Sequence, residues 1–175
     1  MKILVTGCCG FIGYHVSKYL LLNKKYKVFG IDNLNDYYDV KLKKDRLTVI
    51  KKAGLVFFKK DIKNFSSLQK NFKKEKYDYV IHLAAQAGVR HSIDSPEIYL
   101  KNNIDGFFNI LENCKAYNVK HLIYASTSSV YGDNKKFPLK EESNTDKPLS
   151  FYAATKKANE VMAHSYSNIY KIPTT

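Results

Sequence analysis

The chain has 175 residues, 45% of them hydrophobic, and a formal net charge of +13. That length and apolar content suit one globular domain with a real core and exclude a disordered chain. Only Arg46 and Arg90 are arginines, and the lysines are scattered over "LNKKYK", "VKLKKDR", "VIKK", "FKKD" and "NFKKEKYD", a pattern of solvated surface rather than the basic stripe and arginine forks of a nucleic-acid reader.

In chain order, "KILVTG" (2–7) is a short apolar run that enters a glycine turn directly. It is no signal-peptide stretch, and runs such as "YLLL" are too short to cross a bilayer, so a cytoplasmic protein without membrane insertion is expected. A helix follows from Phe11 to Asn23, then a strand, "KVFGID" (27–32), and a helix within 37–52. "LVFFKKDI" (55–62) is the third strand, Phe65 to Glu75 a helix, "DYVIHLAA" (78–85) the fourth strand, and Pro96 to Ala116 one long helix. "HLIYAS" (121–126) is the fifth strand. Ala154, Ala158, Val161, Met162, Ser165 and Ile169 then recur at helical spacing in an amphipathic helix over 152–170. Strands rich in Val, Ile and Leu on both faces, alternating with helices, predict a doubly wound parallel α/β sheet. Its crossovers are right-handed and its ligand crevice lies at the carboxyl ends of the strands. No repeat or linker divides the chain, so residues 1–175 are read as one domain.

Gly7, Gly10 and Gly13 in "TGCCGFIG" follow the first strand and open the first helix, which lets main-chain amides and the positive helix end face a pyrophosphate. Asp32 closes the second strand, where a carboxylate accepts hydrogen bonds from an adenosine ribose. The same charge repels a 2′-phosphate, so NAD is expected rather than NADP. Cys8, Cys9 and Cys114 are odd in number and lack a C-x-x-C pair, which excludes a disulfide framework. A metal would need further His, Cys or carboxylate ligands nearby in sequence, and none is there, so the two adjacent thiols read as incidental and no metal is expected.

Tyr152 and Lys156 form a Y-x-x-x-K pair on one face of the last helix. A lysine ammonium and an oxidised nicotinamide beside a phenol favour phenolate, which makes Tyr152 a proton acceptor. Taken alone, a Tyr and a Lys one turn apart are equally a surface pair. Ser126, Thr127, Ser128 and Ser129 in "YASTSSVYG" emerge at the carboxyl edge of the fifth strand. They are either a serine-rich turn or hydroxyls placed to bond a reacting alcohol, and the glycine turn favours the second reading.

"TGCCGFIG", "IHLAAQAG", "STSSVYG" and "YAATK" resemble the extended short-chain dehydrogenase/reductases, in order and in spacing, across nearly the whole chain. "GIDNLNDYYD", "AAQAGVRHSIDSP" and "YAATKKANEVMAHSYSNIYKIPTT" are similar to bacterial nucleotide-sugar epimerases that interconvert UDP-glucuronate and UDP-galacturonate. The resemblance implies a Rossmann domain holding NAD, a homodimer and a role in surface polysaccharides. It implies Gly7, Gly10, Phe11, Ile12 and Gly13 around the pyrophosphate and Asp32, Asn33 and Asn35 at the adenosine ribose. Asp61 and Ile62 would border adenine, Leu83, Ala84, Ala85 and Gln86 would run along the cofactor, and Asn103 and Ser126 would support it. Gln86, Arg90, Thr127, Ser128, Ser129 and Tyr152 would face a UDP-sugar. Thr127, Tyr152 and Lys156 would be catalytic, with Tyr152 as base and Lys156 also on the nicotinamide ribose.

Two other readings stand beside this one. A sugar 4,6-dehydratase starts with the same oxidation, but the resemblance gives it an acidic pair after the active-site threonine, where this chain has Ser128 and Ser129. A dinucleotide-binding unit without catalysis is the other. "KIPTT" would lead into a sixth strand and a smaller substrate domain that this chain lacks, so a truncated domain is expected. It would have an exposed sheet edge, poor solubility, and assembly as a homodimer or with a missing carboxyl-terminal half.

Overall fold

A computed structural model describes residues 1–175. The apolar runs form β1 (Lys2–Thr6), β2 (Lys27–Asp32), β3 (Val56–Lys59), β4 (Tyr79–His82) and β5 (His121–Tyr124). All pair in parallel in one sheet of order β3-β2-β1-β4-β5. The order reverses between β1 and β4, which opens a crevice at the carboxyl ends of those two strands.

Alternate residues along each strand serve opposite faces, and both faces are covered. Leu4, Phe29, Ile31, Val80 and Leu122 pack with Leu68 and Phe72 of α3 (Phe65–Glu75), with Phe107, Ile110 and Leu111 of α6 (Gly106–Ala116), and with Ala163 of α7 (Phe151–Tyr170). Val5 and Val28 point the other way, into a smaller core. It is completed by Cys8, Cys9, Ile50 and Leu55, under α1 (Phe11–Leu21) and α2 (Val40–Lys52). Each large side chain buried in this way contributes about 1.5–3 kcal/mol, so the strand ends that carry the site rest on packed layers.

Thr6 ends β1 and binds that strand to β4. Its Oγ1 accepts from the amides of Leu83 and Ala84, each at 3.2 Å, and lies 2.8 Å from Nδ1 of His82. Burial, with Lys156 nearby adding to it, brings His82 down to about 3, so this imidazole is neutral.

The helix expected over 96–116 is broken. Pro96–Tyr99 form the short helix α5, Leu100–Asp105 are wound as a π-helix, and α6 follows. Two short elements were not foreseen: the helix α4 (His91–Asp94) and a 3-10 turn at Ser128–Tyr131. No helix is long and apolar enough to cross a membrane. Beyond β5, the Leu122 amide donates to Pro173 O at 2.9 Å, that of Thr175 to Leu122 O at 3.0 Å, and that of Tyr124 to Thr175 O at 3.0 Å. The outer edge of β5 is therefore paired over part of its length rather than bare.

Candidate functional site

The glycine turn is set by close approach. Gly7 has φ +69, and a Cβ there would lie 2.8 Å from the Ala84 nitrogen. A Cβ on Gly13 would lie 2.0 Å from Gly7 O. The Gly7 amide donates to Ile31 O at 2.7 Å, which locks the turn onto β2. Gly10 caps α1 without a side chain, and the amides of Phe11, Ile12 and Gly13 find no acceptor in the chain. Free donors, the positive helix end and a turn stripped of side chains together make an anion cradle.

Asp32 stands beside it. Its Oδ2 accepts from the Cys9 amide at 3.0 Å and its Oδ1 from the Leu34 amide at 2.9 Å, so its direction is set by main chain alone. The loop beyond continues the pattern. Asn33 Nδ2 donates to Asp61 Oδ2 at 3.2 Å and the Asn35 amide to Asn33 Oδ1 at 3.0 Å. A cavity of about 270 Å³ is lined by the predicted residues Gly7, Gly10, Asp32, Asn33, Asn35, Ile62, Leu83, Ala84, Ala85 and Gln86. Asp61 supports Asn33 from outside that lining, and Phe11, Ile12 and Gly13 flank it at the start of α1.

Several lining residues escaped the sequence reading: Tyr37, Tyr38, Lys43, Lys60 and Asn102. Lys43 corrects the picture of a uniformly solvated lysine surface, since it is only 4% exposed. Its Nζ donates to Asn35 O at 2.8 Å and to Asn35 Oδ1, and lies 4.4 Å from the centre of the Tyr38 ring. Burial holds it below the usual lysine range, while the Asp32 carboxylate pulls the other way. Nothing in "VKLKKDR" marks it, because its partner Asn35 lies in a loop whose path no periodicity reveals.

The second part of the site is built on α7. Ser150 Oγ caps the helix by accepting from the Ala153 amide at 3.1 Å. The Tyr152 amide donates to Ser92 Oγ at 3.1 Å, and Ser92 Oγ donates to Val89 O at 2.6 Å. The Tyr99 ring meets Tyr152 edge-on at 6.1 Å. The fully buried Tyr99 hydroxyl sits 2.7 Å from Gly88 O and 2.9 Å from Ala87 O. Lys156, one turn on, is 4% exposed and has no hydrogen-bonding or ionic partner in the chain. Burial brings it down to about 8, against the opposing pull of Glu160.

Asn103 joins the two parts. Its Oδ1 accepts from the Gln86 amide at 2.8 Å, while its Nδ2 donates to Gln86 O at 3.0 Å and lies 3.1 Å from Thr155 Oγ1. Asn159 Nδ2 donates to Asn103 O at 2.7 Å. Asn103 lies within the π-helical turn, a feature often found at functional sites. Asn103 is therefore a bracket behind the cavity wall and does not line the cavity. Gln86, which it holds, keeps its own Nε2 buried without a partner.

The hydroxyl cluster divides. Thr127 Oγ1 accepts from the Ser129 amide at 3.2 Å and caps the 3-10 turn, which packs on α7. Ser126 is exposed, and its Oγ donates to Glu160 Oε1 at 2.5 Å. Glu160 Oε2 meets Lys157 Nζ at 3.1 Å, and Lys157 also donates to Thr145 Oγ1 at 2.5 Å, tying the loop after the turn to the helix. Ser128 and Arg90 are exposed, Arg90 at the start of α4. No hydrogen bond links Thr127, Tyr152 and Lys156 to one another.

Cys8 and Cys9 are fully buried beneath the turn, their Sγ atoms 3.8 Å apart. The Cys8–Cys9 hydrogen bond, followed by burial, holds the Cys8 thiol far above its ordinary range. The carboxylate that was missing nearby in sequence is present in space, since an Asp32 oxygen and both sulfurs lie within 4.8 Å of one another.

Comparison with known proteins gives a consistent picture. Residues 4–175 match the family described as GDP-mannose 4,6 dehydratase. Protein CapI of Staphylococcus aureus is 53% identical over 175 residues, which is 100% of this chain and 52% of that protein. UDP-glucuronate 4-epimerase 2 of Arabidopsis thaliana is 46% identical over 176 residues, covering 100% of this chain and 40% of that protein. The crystal structure of UDP-glucuronic acid 4-epimerase from Bacillus cereus with UDP-glucuronic acid and NAD superposes with TM-score 0.92 at 38% identity, covering 100% of this chain and 55% of that one. The chain spans about half the length of the curated relatives it matches.

Proposed function

The chain belongs to the GDP-mannose 4,6 dehydratase family, and we propose that its activity there is that of an NAD-dependent UDP-glucuronate 4-epimerase, interconverting UDP-glucuronate and UDP-galacturonate. The observation that carries this reading is Lys156, a lysine only 4% exposed whose ammonium has no acceptor in the chain, one turn from Tyr152 and joined to the cavity wall through Thr155, Asn103 and Gln86. A cation so placed is free to meet an anionic or hydroxyl-rich partner from outside the chain.

The residues fit a dinucleotide on three counts. A side chain at Gly7 would fill the turn, three amides at the start of α1 lack acceptors, and the buried Gln86 Nε2 lacks one too. In this reading Gly7, Gly10, Phe11, Ile12 and Gly13 hold the pyrophosphate. Asp32, Asn33 and Asn35, with Lys43, hold the adenosine ribose, Asp61 and Ile62 border adenine, and Leu83 to Gln86 line its course. Lys156 holds the nicotinamide ribose. Bound there, NAD supplies hydride exchange at C4 of the sugar.

Tyr152, as phenolate, takes the proton of the sugar 4-hydroxyl, and Lys156 stabilises that phenolate by charge. The 4-ketone left once the C4 hydride is given up would turn its other face before that hydride returns to C4, which inverts configuration there, while Tyr152 gives the proton back to the oxygen. Thr127 bonds the reacting oxygen, and Gln86, Arg90, Ser128 and Ser129 contact the UDP-sugar. Ser128 and Ser129 stand where a dehydratase of this kind needs an acid and a base, which favours epimerisation over elimination of water. Apolar side chains left exposed on adjacent helices, Phe108 on α6 and Val161 and Ile169 on α7, support assembly as a homodimer.

Incubation of the purified chain with UDP-glucuronate and NAD, followed by chromatography for UDP-galacturonate, tests the assignment. Product is expected, falling at least about a hundredfold in Tyr152→Phe. Undiminished product in that variant would sink it, and bound NAD without product would leave a dinucleotide-binding unit without catalysis.

A further inference from the structure

Adjacent cysteines are poorly suited to bond to each other. Neighbouring Cα atoms across a trans peptide are about 3.8 Å apart, closer than the roughly 4.4–6.8 Å a disulfide prefers. The sulfurs lie 3.8 Å apart, far beyond the S–S bond length of about 2.05 Å. That separation has another meaning. Two thiolates on one tetrahedral zinc-like ion, each at about 2.3 Å, are themselves about 3.8 Å apart. The third donor is in place, since Asp32 presents an oxygen within 4.8 Å of both sulfurs, and its two oxygens accept only main-chain amides, leaving lone pairs free.

We propose that Cys8, Cys9 and Asp32 form a chelating site for a soft divalent cation of the zinc and cadmium class, and that its occupation excludes the adenosine ribose. Thiolate donors select such ions over magnesium or calcium. On binding, each thiol releases its proton to solvent, two S–M bonds and one O–M bond form, and water completes the fourth position. The resulting cluster carries one net negative charge. Lys43 and Arg46 flank it: Lys43 sits by Asn35, and Arg46 Nη1 lies 3.5 Å from Cys9 O. Of the three ligands Asp32 lines the cavity, while both sulfurs lie fully buried beneath the turn. The Asp32 lone pair given to a cation is one that a ribose hydroxyl would use, so metal and dinucleotide compete. The chelate itself rests on these three side chains and stands apart from the epimerase reading.

Titration of the reduced, chelator-free chain with cadmium, followed by the ultraviolet thiolate-to-cadmium charge-transfer band, tests this. One cadmium per chain is expected, with the band lost in Cys8→Ala and in Cys9→Ala and kept in Cys114→Ala. Asp32→Asn should weaken binding at least about tenfold. No band in the parent chain, or a band that survives in the Cys8 and Cys9 variants, overturns the site. Should a variant fail to fold, the parent band, with a number of coordinated sulfurs other than two from X-ray absorption, overturns it equally. In chain shown by calorimetry to be saturated with NAD, cadmium affinity should fall, and an unchanged affinity overturns the competition. A chain that binds cadmium through both thiols but does not bind NAD overturns the dinucleotide reading and the competition, and leaves the chelate standing.

Discussion

Around the glycine turn, the groups that face the cavity are main-chain amides and one carboxylate held by two more amides. Around Tyr152, position is set by side chains from distant segments: Ser92 on its amide, Tyr99 on its ring, and Thr155 behind it, braced by Asn103. The first region is rigid because its backbone has one way to pass between β1, β2 and α1. The second is a polar network in which Ser92, Thr155, Asn103 and Asn159 hold one another and the main chain, so damage at one point spreads. Recognition built on main chain tolerates little insertion of bulk, whereas proton handling built on side chains tolerates little loss of a partner.

That contrast can be broken at four points. The largest effect belongs to Gly13→Ala, whose Cβ would meet Gly7 O at 2.0 Å. It should cost about 3 kcal/mol or more and abolish NAD binding, read by denaturant melts and calorimetry. Lys156→Met has the opposite sign. Lys156 falls from 10.5 to about 8 on burial, so the folded state is penalised while the lysine is charged, below pH 8. Removing it should raise stability at pH 7 by up to about 3 kcal/mol while activity collapses. The parent chain should gain stability as pH climbs from about 8 towards 10.5, and the variant should lack that rise.

Asn103→Ala sharpens the contrast, since it strips the Gln86 amide and carbonyl of their side-chain partner without touching the turn. A loss of about 2 kcal/mol is expected, with turnover impaired more than NAD binding. Glu160→Gln is the mildest, since this partly exposed pair with Lys157 is worth under about 1 kcal/mol. Its readout is faster proteolysis of the loop around Thr145.

The same contrast explains what could be read from the chain alone. All five strands, the glycine turn and Asp32 are local patterns of period and spacing, and each was legible. Tyr152 and Lys156 were legible as a pair one turn apart. The π-helix was not, because nothing in "LKNNID" departs from helical periodicity, and the extra residue in the turn serves contacts with Gln86 and Asn159, far away in sequence. Lys43 and Ser92 were hidden for the same reason, one among many lysines and one among many serines. The Cys8–Cys9–Asp32 cluster needed the register of β1 against β2 before its members could be seen together.

Thr6 carries a consequence of a different kind. The Leu83 and Ala84 amides both reach its hydroxyl oxygen, the first shared with Thr6 O. That arrangement favours donation of the hydroxyl proton to Nδ1 of His82, with the imidazole proton on Nε2. With His82 brought down to about 3, the ring stays uncharged across the physiological range. The ring is a built-in spectroscopic beacon: its nitrogen resonances should ignore pH and move only when the junction of β1 and β4 moves.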